Sequence, residues 1–262
     1  MPSGERTPYG SRSWAPTAAQ HRAAYRFASA YVHGRRVVEI GCGFGFGARM
    51  LSEEAVQVLA VDNSQEAIAA ASKEPVPANV EFRLSNAIGL SADEIRCDVL
   101  VAFQVIEHFP AADGFLELAR DATRPDGVCL VSTPNALLSV GDNPYHFREY
   151  TPSELQRVLV PHFPYVELFG VCGSQRALTY HGHRRRLVRS ILAVDVFGLR
   201  RVLPKKATQR AADYMGAAVK RFLLRGQSSS RSDDWDREYG VEQGDLERAL
   251  DLIAVCRHGD PH

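Results

Sequence analysis

No stretch of this chain is apolar for long enough to cross a bilayer, which takes roughly 18 or more residues. The opening MPSGERTPYG also lacks the basic-then-apolar order of a secretory signal, and a cytosolic protein is expected. Cysteine is scarce and odd in number, five in all, with no CxxC pair. That spacing indicates neither a zinc ribbon nor a dithiol exchange site. Cys42, Cys97, Cys129, Cys172 and Cys256 read as reduced structural thiols, four of them in or beside apolar runs. Net charge is missing too, since 31 Lys and Arg balance 31 Asp and Glu. With no overall basic field and no aromatic platform for stacked bases, a nucleic-acid partner is not expected. The balance conceals an uneven spread: between residues 176 and 225, roughly 13 basic residues face 2 acidic ones.

What is present is ordinary globular composition, 45% hydrophobic and 24% charged over 262 residues. This excludes disorder, collagen-like repeats and coiled coil, and suits one elaborated domain. Residues 18–31 carry helical spacing, with Ala24, Phe27, Ala28 and Tyr31 on one face. Short apolar, β-branched runs then alternate with helical stretches: VVEI, VQVLAVD, VEFRLS, CDVLVAFQ and GVCLVST. Such alternation predicts an α/β fold, a doubly wound and mostly parallel sheet covered on both faces. Helix starts are expected at Asn63 or Ser64 and at Thr151, where Pro152 and Glu154 complete an N-terminal signal. YVELFGVCG and LDLIAVCRH read as two more strands, for seven in all. The expected organisation is an N-terminal arm and helix over 1–34, a core over 35–174, a basic helical insertion or lid over 175–245, and a last strand within 246–262. Two helices are predicted inside the insertion, over about 185–202 and 207–224.

The glycines Gly41, Gly43 and Gly45 follow the first strand at every second position, ahead of a helix. A backbone without Cβ atoms lets a ligand approach closely and turns helix N–H groups toward it. The loop departs from the dinucleotide fingerprint, because Phe46 stands where the third glycine would fall. Asp62, about 20 residues on at the tip of the next strand, can take both hydroxyls of a ribose, a feature that nicotinamide enzymes share. Glu39 inside an apolar strand needs a partner, either a ligand or an ion pair with Arg35 or Arg36.

In order along the chain, VVEIGCGFG, the acid of AVDNS, SNA, FQVIEHF and GVCLVSTPN resemble the successive motifs of class I S-adenosylmethionine-dependent methyltransferases. The resemblance covers most of the chain from 37 to 173. It implies a Rossmann-like fold and S-adenosyl-L-methionine as cofactor. Gly41, Gly43 and Gly45 would then pass under the amino-acid part of the cofactor, Glu39 would anchor its ammonium, and Asp62 with Asn63 would meet the ribose. Asn86 and Ala87 would face adenine, with Asn86 standing where relatives usually carry Asp, and Gln104 would line the methionine end. Where relatives often carry a polar residue this chain has Phe44, either core or an aromatic face for the sulfonium.

Two histidines are candidate bases. His108, beside Glu107, follows the fourth strand at the end where open α/β sheets place ligands, though the pair can equally cap a helix. His146 lies in NPYHFREYT with Tyr145, Arg148 and Glu149, in a polar loop after Asn135. That loop offers a base, an anion binder and a carboxylate, with Asn135 and Tyr145 as further substrate contacts. Its pattern is similar to bacterial methyltransferases acting on sugars and other hydroxylated metabolites, among them enzymes of methylmannose polysaccharide synthesis, and Gly4-Glu5-Arg6 followed by His21, Arg22 and Tyr25 resembles the lead-in of that branch, where the arm closes over the cofactor. Gln104, Glu107 and His108 stand where some quinone-pathway O-methyltransferases are thought to hold a divalent ion such as magnesium, with His146 able to join them.

The expected reaction is O-methylation of a sugar or similar small molecule. N-methylation of an amine, a nicotinamide-dependent oxidoreductase and a cofactor-binding module without catalysis are the alternatives. RRRLVRSILAVDVFGLRRVLPKK reads as a basic amphipathic lid, or a contact for an anionic substrate, a membrane surface or a second subunit in a homodimer. His181 and His183 read as solvated, and SDDWDREYG, with Trp235 and Tyr239, has the composition of a saccharide surface.

Overall fold

The computed structural model describes residues 15–139, 143, 145–193 and 232–259. The expected second insertion helix, the end of the first and the residues 1–14 of the N-terminal arm lie outside them. Helix α1 (Ala15–Val32) leads into β1 (Arg36–Ile40), α2 (Phe46–Ser52), β2 (Gln57–Asp62), α3 (Gln65–Ala71) and β3 (Val80–Leu84). The chain continues through β4 (Cys97–Phe103), α4 (Asp113–Ala122), β5 (Thr123–Pro134), α5 (Pro152–Leu159) and β6 (Tyr165–Gly173). Then come α6 (Gln175–Ala193), β7 (Tyr239–Glu242) and β8 (Asp251–Arg257).

The strands form one eight-stranded sheet in the order β3-β2-β1-β4-β5-β8-β6-β7. Neighbours from β3 to β5 pair in parallel, while β8 runs antiparallel to both β5 and β6, and β7 antiparallel to β6. The chain winds outward from β1 to β3, then crosses back to place β4 on the other side of β1. That reversal opens a crevice at the C-terminal ends of β1 and β4, the place where doubly wound sheets hold ligands.

Alternation along each strand feeds two separate cores. Val37, Val99, Val101 and Val255 join α1 and α2 on one face, and Val38, Leu100, Ala102 and Ala254 join α4 and α5 on the other. Helix α3 is capped by Ser64, whose hydroxyl accepts from the Ala67 amide at 3.2 Å. Helix α5 opens with the capping box expected of Thr151 and Glu154. All five cysteines are free thiols, four buried and Cys172 partly so. Burial raises the Cys97 thiol to about 12, which keeps it protonated and unreactive.

Four expectations need correction. The sheet has eight strands instead of seven: Tyr239–Glu242, too short and polar to read as a strand, pairs with the edge of β6. Helix α6 starts at Gln175, ten residues before the predicted start, because the Ser174 hydroxyl accepts from the Ala177 amide at 3.3 Å and opens the first turn. The aromatic segment is interior and no saccharide surface. Trp235 is 1% exposed, with Arg176 stacked 4.3 Å from its ring and Tyr180 edge-on at 5.5 Å. His181 is likewise buried, 3.0 Å from the Tyr239 hydroxyl, while His183 is exposed. No helix among the described residues is long and apolar enough to cross a membrane.

Candidate active site

The crevice has a glycine wall and a histidine wall. After β1 the chain turns sharply, and Gly41, Gly43 and Gly45 all take left-handed φ values, of 78°, 53° and 76°. The Gly41 and Cys42 amides both donate to the Val61 carbonyl, at 2.8 and 3.0 Å, tying the loop to β2. Asp62, at the end of β2, accepts from the Gly43 amide at 2.9 Å and the Ser64 amide at 2.8 Å, one on each carboxylate oxygen. Its carboxylate is thereby oriented. A Cβ at Gly43 would meet nothing within 4 Å, so this side of the loop faces open space. Asn63 and Asn86 are exposed nearby in sequence to the ends of β2 and β3, and Ala87 is buried.

Glu39 pairs with neither Arg35 nor Arg36. It is 1% exposed, and its Oε1 accepts from the Tyr25 hydroxyl of α1 at 2.5 Å. Its Oε2 has no hydrogen-bond partner among the described residues. Burial raises its pKa from 4.5 to about 7, opposed by the Tyr25 bond, reinforced by the Asp62 charge and opposed again by the Ala48 amide. Gly47 is where this link demands glycine, because a Cβ there would sit 2.2 Å from the Tyr25 ring and 2.3 Å from Glu39 Oε1. Tyr25 also meets Phe46 edge-on at 5.6 Å and Phe103 at 5.1 Å, so α1 closes the base of the crevice.

The histidine wall begins where β4 ends. Gln104 is the single non-glycine residue with positive φ among the described residues, at 57°. A short 3-10 turn (Ile106–His108) follows, with Glu107 fully buried. The Glu107 carbonyl accepts from the amides of Phe147, at 2.8 Å, and Arg148, at 3.4 Å, which brings the polar loop onto the turn. His108 Nδ1 lies 3.0 Å from the Tyr145 carbonyl; a carbonyl only accepts, so Nδ1 carries the proton there. His146 Nδ1 meets Glu149 Oε1 at 2.8 Å, and its Nε2 meets the Asn143 amide nitrogen at 2.9 Å. The Glu149 carboxylate therefore fixes the Nδ1–H tautomer, and Asn143 caps the basic nitrogen. The two imidazoles lie edge-on at 5.1 Å, and ligand atoms of Glu107, His108 and His146 fall within 4.8 Å of one another.

Two expected substrate contacts are differently employed. Asn135 is fully buried, donating to the Leu246 and Ala249 carbonyls at 2.9 and 2.8 Å and accepting from the Leu137 amide at 3.1 Å. It pins the loop after β5 to the segment before β8, and both of its N–H donors are spent there. Arg148 turns to α5, reaching Glu154 at 3.3 Å and lying over the Tyr150 ring at 5.1 Å. Tyr25 was expected only as part of the N-terminal lead-in and not as the partner of Glu39, and nothing in their local spacing marks Asn143 or Asp251.

A family model described as a methyltransferase domain matches residues 12–177. A probable S-adenosylmethionine-dependent methyltransferase of Mycolicibacterium smegmatis is 30% identical over 260 residues, covering 97% of this chain and 93% of its own length. The chain is a class I S-adenosylmethionine-dependent methyltransferase. Part of the methyltransferase also matches a ubiquinone biosynthesis O-methyltransferase of Bradyrhizobium diazoefficiens, 35% identical over 104 residues, which is 39% of this chain and 41% of that one. Among solved structures, the cyclase SpnF has a TM-score of 0.58 at 16% identity, covering 96% of this chain and 85% of its own. That likeness concerns the fold alone, and chemistry has to be argued from side chains.

Proposed function

We propose that this methyltransferase transfers the methyl group to a hydroxyl of a sugar or similar polar small molecule, with His146 as base. The observation that carries the reading is the Glu149–His146 pair at 2.8 Å, next to His108 and Glu107 on the crevice side of β4. A carboxylate behind Nδ1 raises the basicity of Nε2, which is what deprotonating a hydroxyl demands. In this conformation Asn143 holds that nitrogen, so an arriving hydroxyl has to replace its amide.

On the glycine wall, Gly41, Gly43 and Gly45 would cradle the amino-acid part of the cofactor. The unsatisfied Glu39 Oε2 would take its ammonium, Asp62 and Asn63 the ribose, Asn86 and Ala87 the adenine, and Gln104 the methionine end. The cofactor supplies an activated methyl group when bound. The chain's own work is to hold the acceptor oxygen about 3 Å from that carbon, in line with the breaking bond, and to keep water out. Tyr145 and Glu149 border the acceptor space.

Glu107, His108 and His146 have the donor set for a divalent cation, which would lower the pKa of an acceptor hydroxyl. Two imidazoles and one carboxylate suit a borderline ion better than magnesium. Ligation through His146 Nε2 would displace the base role, so chelation separates the two. A labelled-methyl screen across sugars, glycosides and amines, with and without chelator, tests both. His146→Ala is expected to lower kcat by about 10² to 10⁴-fold on a hydroxyl acceptor. A loss below tenfold would favour an amine acceptor, whose lone pair needs orientation more than proton removal. Activity that survives chelation would exclude the cation.

A further inference from the structure

Asp251, the first residue of β8, is a buried carboxylate for which the proposed transfer has no use. It is 5% exposed and aligns with Pro134 of β5 and Val171 of β6, at the sheet edge that carries the crevice. Gln20 of α1 donates to its Oδ2 from Nε2 at 2.6 Å, and the Gln104 side chain is its second hydrogen-bond partner. Burial raises its pKa from 3.8 to about 6, and the bonds from Gln20 and Gln104 hold it from rising further.

Gln104 is anchored twice more. Its backbone amide donates to the Ser132 carbonyl at 2.9 Å, and its Nε2 faces the Ser132 hydroxyl at 3.4 Å. An ionised carboxylate can only accept, so the bond to Asp251 uses a proton of the Gln104 amide nitrogen. Ser132 takes the other. Both N–H donors are then spent inside the sheet, and the amide has one group left to present, its carbonyl oxygen Oε1. The left-handed φ of 57° at this glutamine is a sparsely populated conformation, kept where the surroundings over-determine it.

We propose that Asp251 is a positioning residue: together with Ser132 it fixes the Gln104 amide so that Oε1 points into the crevice toward the cationic methionine end of the cofactor. The inference rests on the cofactor placement proposed above. Gln20 completes the device by holding the carboxylate from α1, so the helix that clamps Glu39 through Tyr25 also sets this second contact.

Isothermal titration with S-adenosylhomocysteine on wild type, Asp251→Asn, Gln104→Ala and the double variant tests it. Each single variant is expected to weaken binding about tenfold. If Asp251 acts through Gln104, the double variant binds within about twofold of Gln104→Ala, because the second change has nothing left to disturb. A carboxylate that merely supports the fold would lower the melting temperature and cost the same factor in both backgrounds, and that additivity would overturn the proposal. So would unchanged affinity in Asp251→Asn. Should Asp251→Asn not fold, Ser132→Ala carries the same cycle, since it removes the other acceptor of the same amide. Wild type failing to bind S-adenosylhomocysteine would remove the cofactor site itself, whereas wild-type binding with additive variants removes the positioning role alone.

Discussion

At the residue scale, the most consequential side chain is Glu39. Its pKa is raised by burial, to about 7 from 4.5. The folded protein therefore holds a proton there that the unfolded chain has released, throughout that window. Stability from this group is fully present below pH 4.5 and is lost as pH rises through about 7, a span of order 3 kcal/mol. Thermal melts of the ligand-free protein across pH 4.5 to 8 should show wild type losing ground to Glu39→Gln as pH rises. A cationic ammonium beside Oε2 would favour the ionised form, so cofactor binding near pH 6 is expected to release a proton in wild type and none in Glu39→Gln. Calorimetry in two buffers of different ionisation enthalpy reads that proton directly. Spacing made Glu39 legible as an acid needing a partner, but not Tyr25, which lies on another element and looks like any helix-face aromatic.

At the scale of elements, the 3-10 segment Ser232–Glu238 does more than connect. Its Trp235 seals α1 against α6, and its Asp236 takes Arg22 at 2.5 Å. Trp235→Ala is expected to destabilise the fold by about 3 to 5 kcal/mol, a core truncation, and to change acceptor affinity only through that loss. A denaturant midpoint shift at unchanged m-value, with acceptor KM unaltered under stable conditions, is the expected pattern. The alternation of apolar runs and the Thr151 cap signal were enough to place β1 to β6 and α5. They were not enough for β7, whose four residues pair with β6 for reasons of tertiary closure and carry no pattern of their own. Asn135 misled for a related reason: an amide at a strand end in a crevice fits a ligand contact or a backbone pin equally well. Only the distant carbonyls of Leu246 and Ala249 decide between them.

At the scale of the whole molecule, Gln20 and Asp251 meet across 231 positions of sequence, and Arg22 and Asp236 across 214. These ties join the helix that closes the crevice to β8 and to the 3-10 segment Ser232–Glu238. Unfolding is accordingly expected as one transition, coincident by far-ultraviolet circular dichroism and tryptophan fluorescence. S-adenosylhomocysteine at a hundred times its Kd should add about 2.7 kcal/mol, moving that single transition up by about 5 to 10 °C. Two separated transitions, with only one responding, would show that the crevice belongs to part of the fold.

The position of β8 governs how the chain comes together in time. β5 and β6 are made earlier, yet neither pairs with the other; the slot between them is filled by β8, a strand made after both. Until then an open edge of β5 waits, and the carboxylate that steadies Gln104 has not arrived. During synthesis the half from β3 to β5 can assemble, but a finished pocket must await β8.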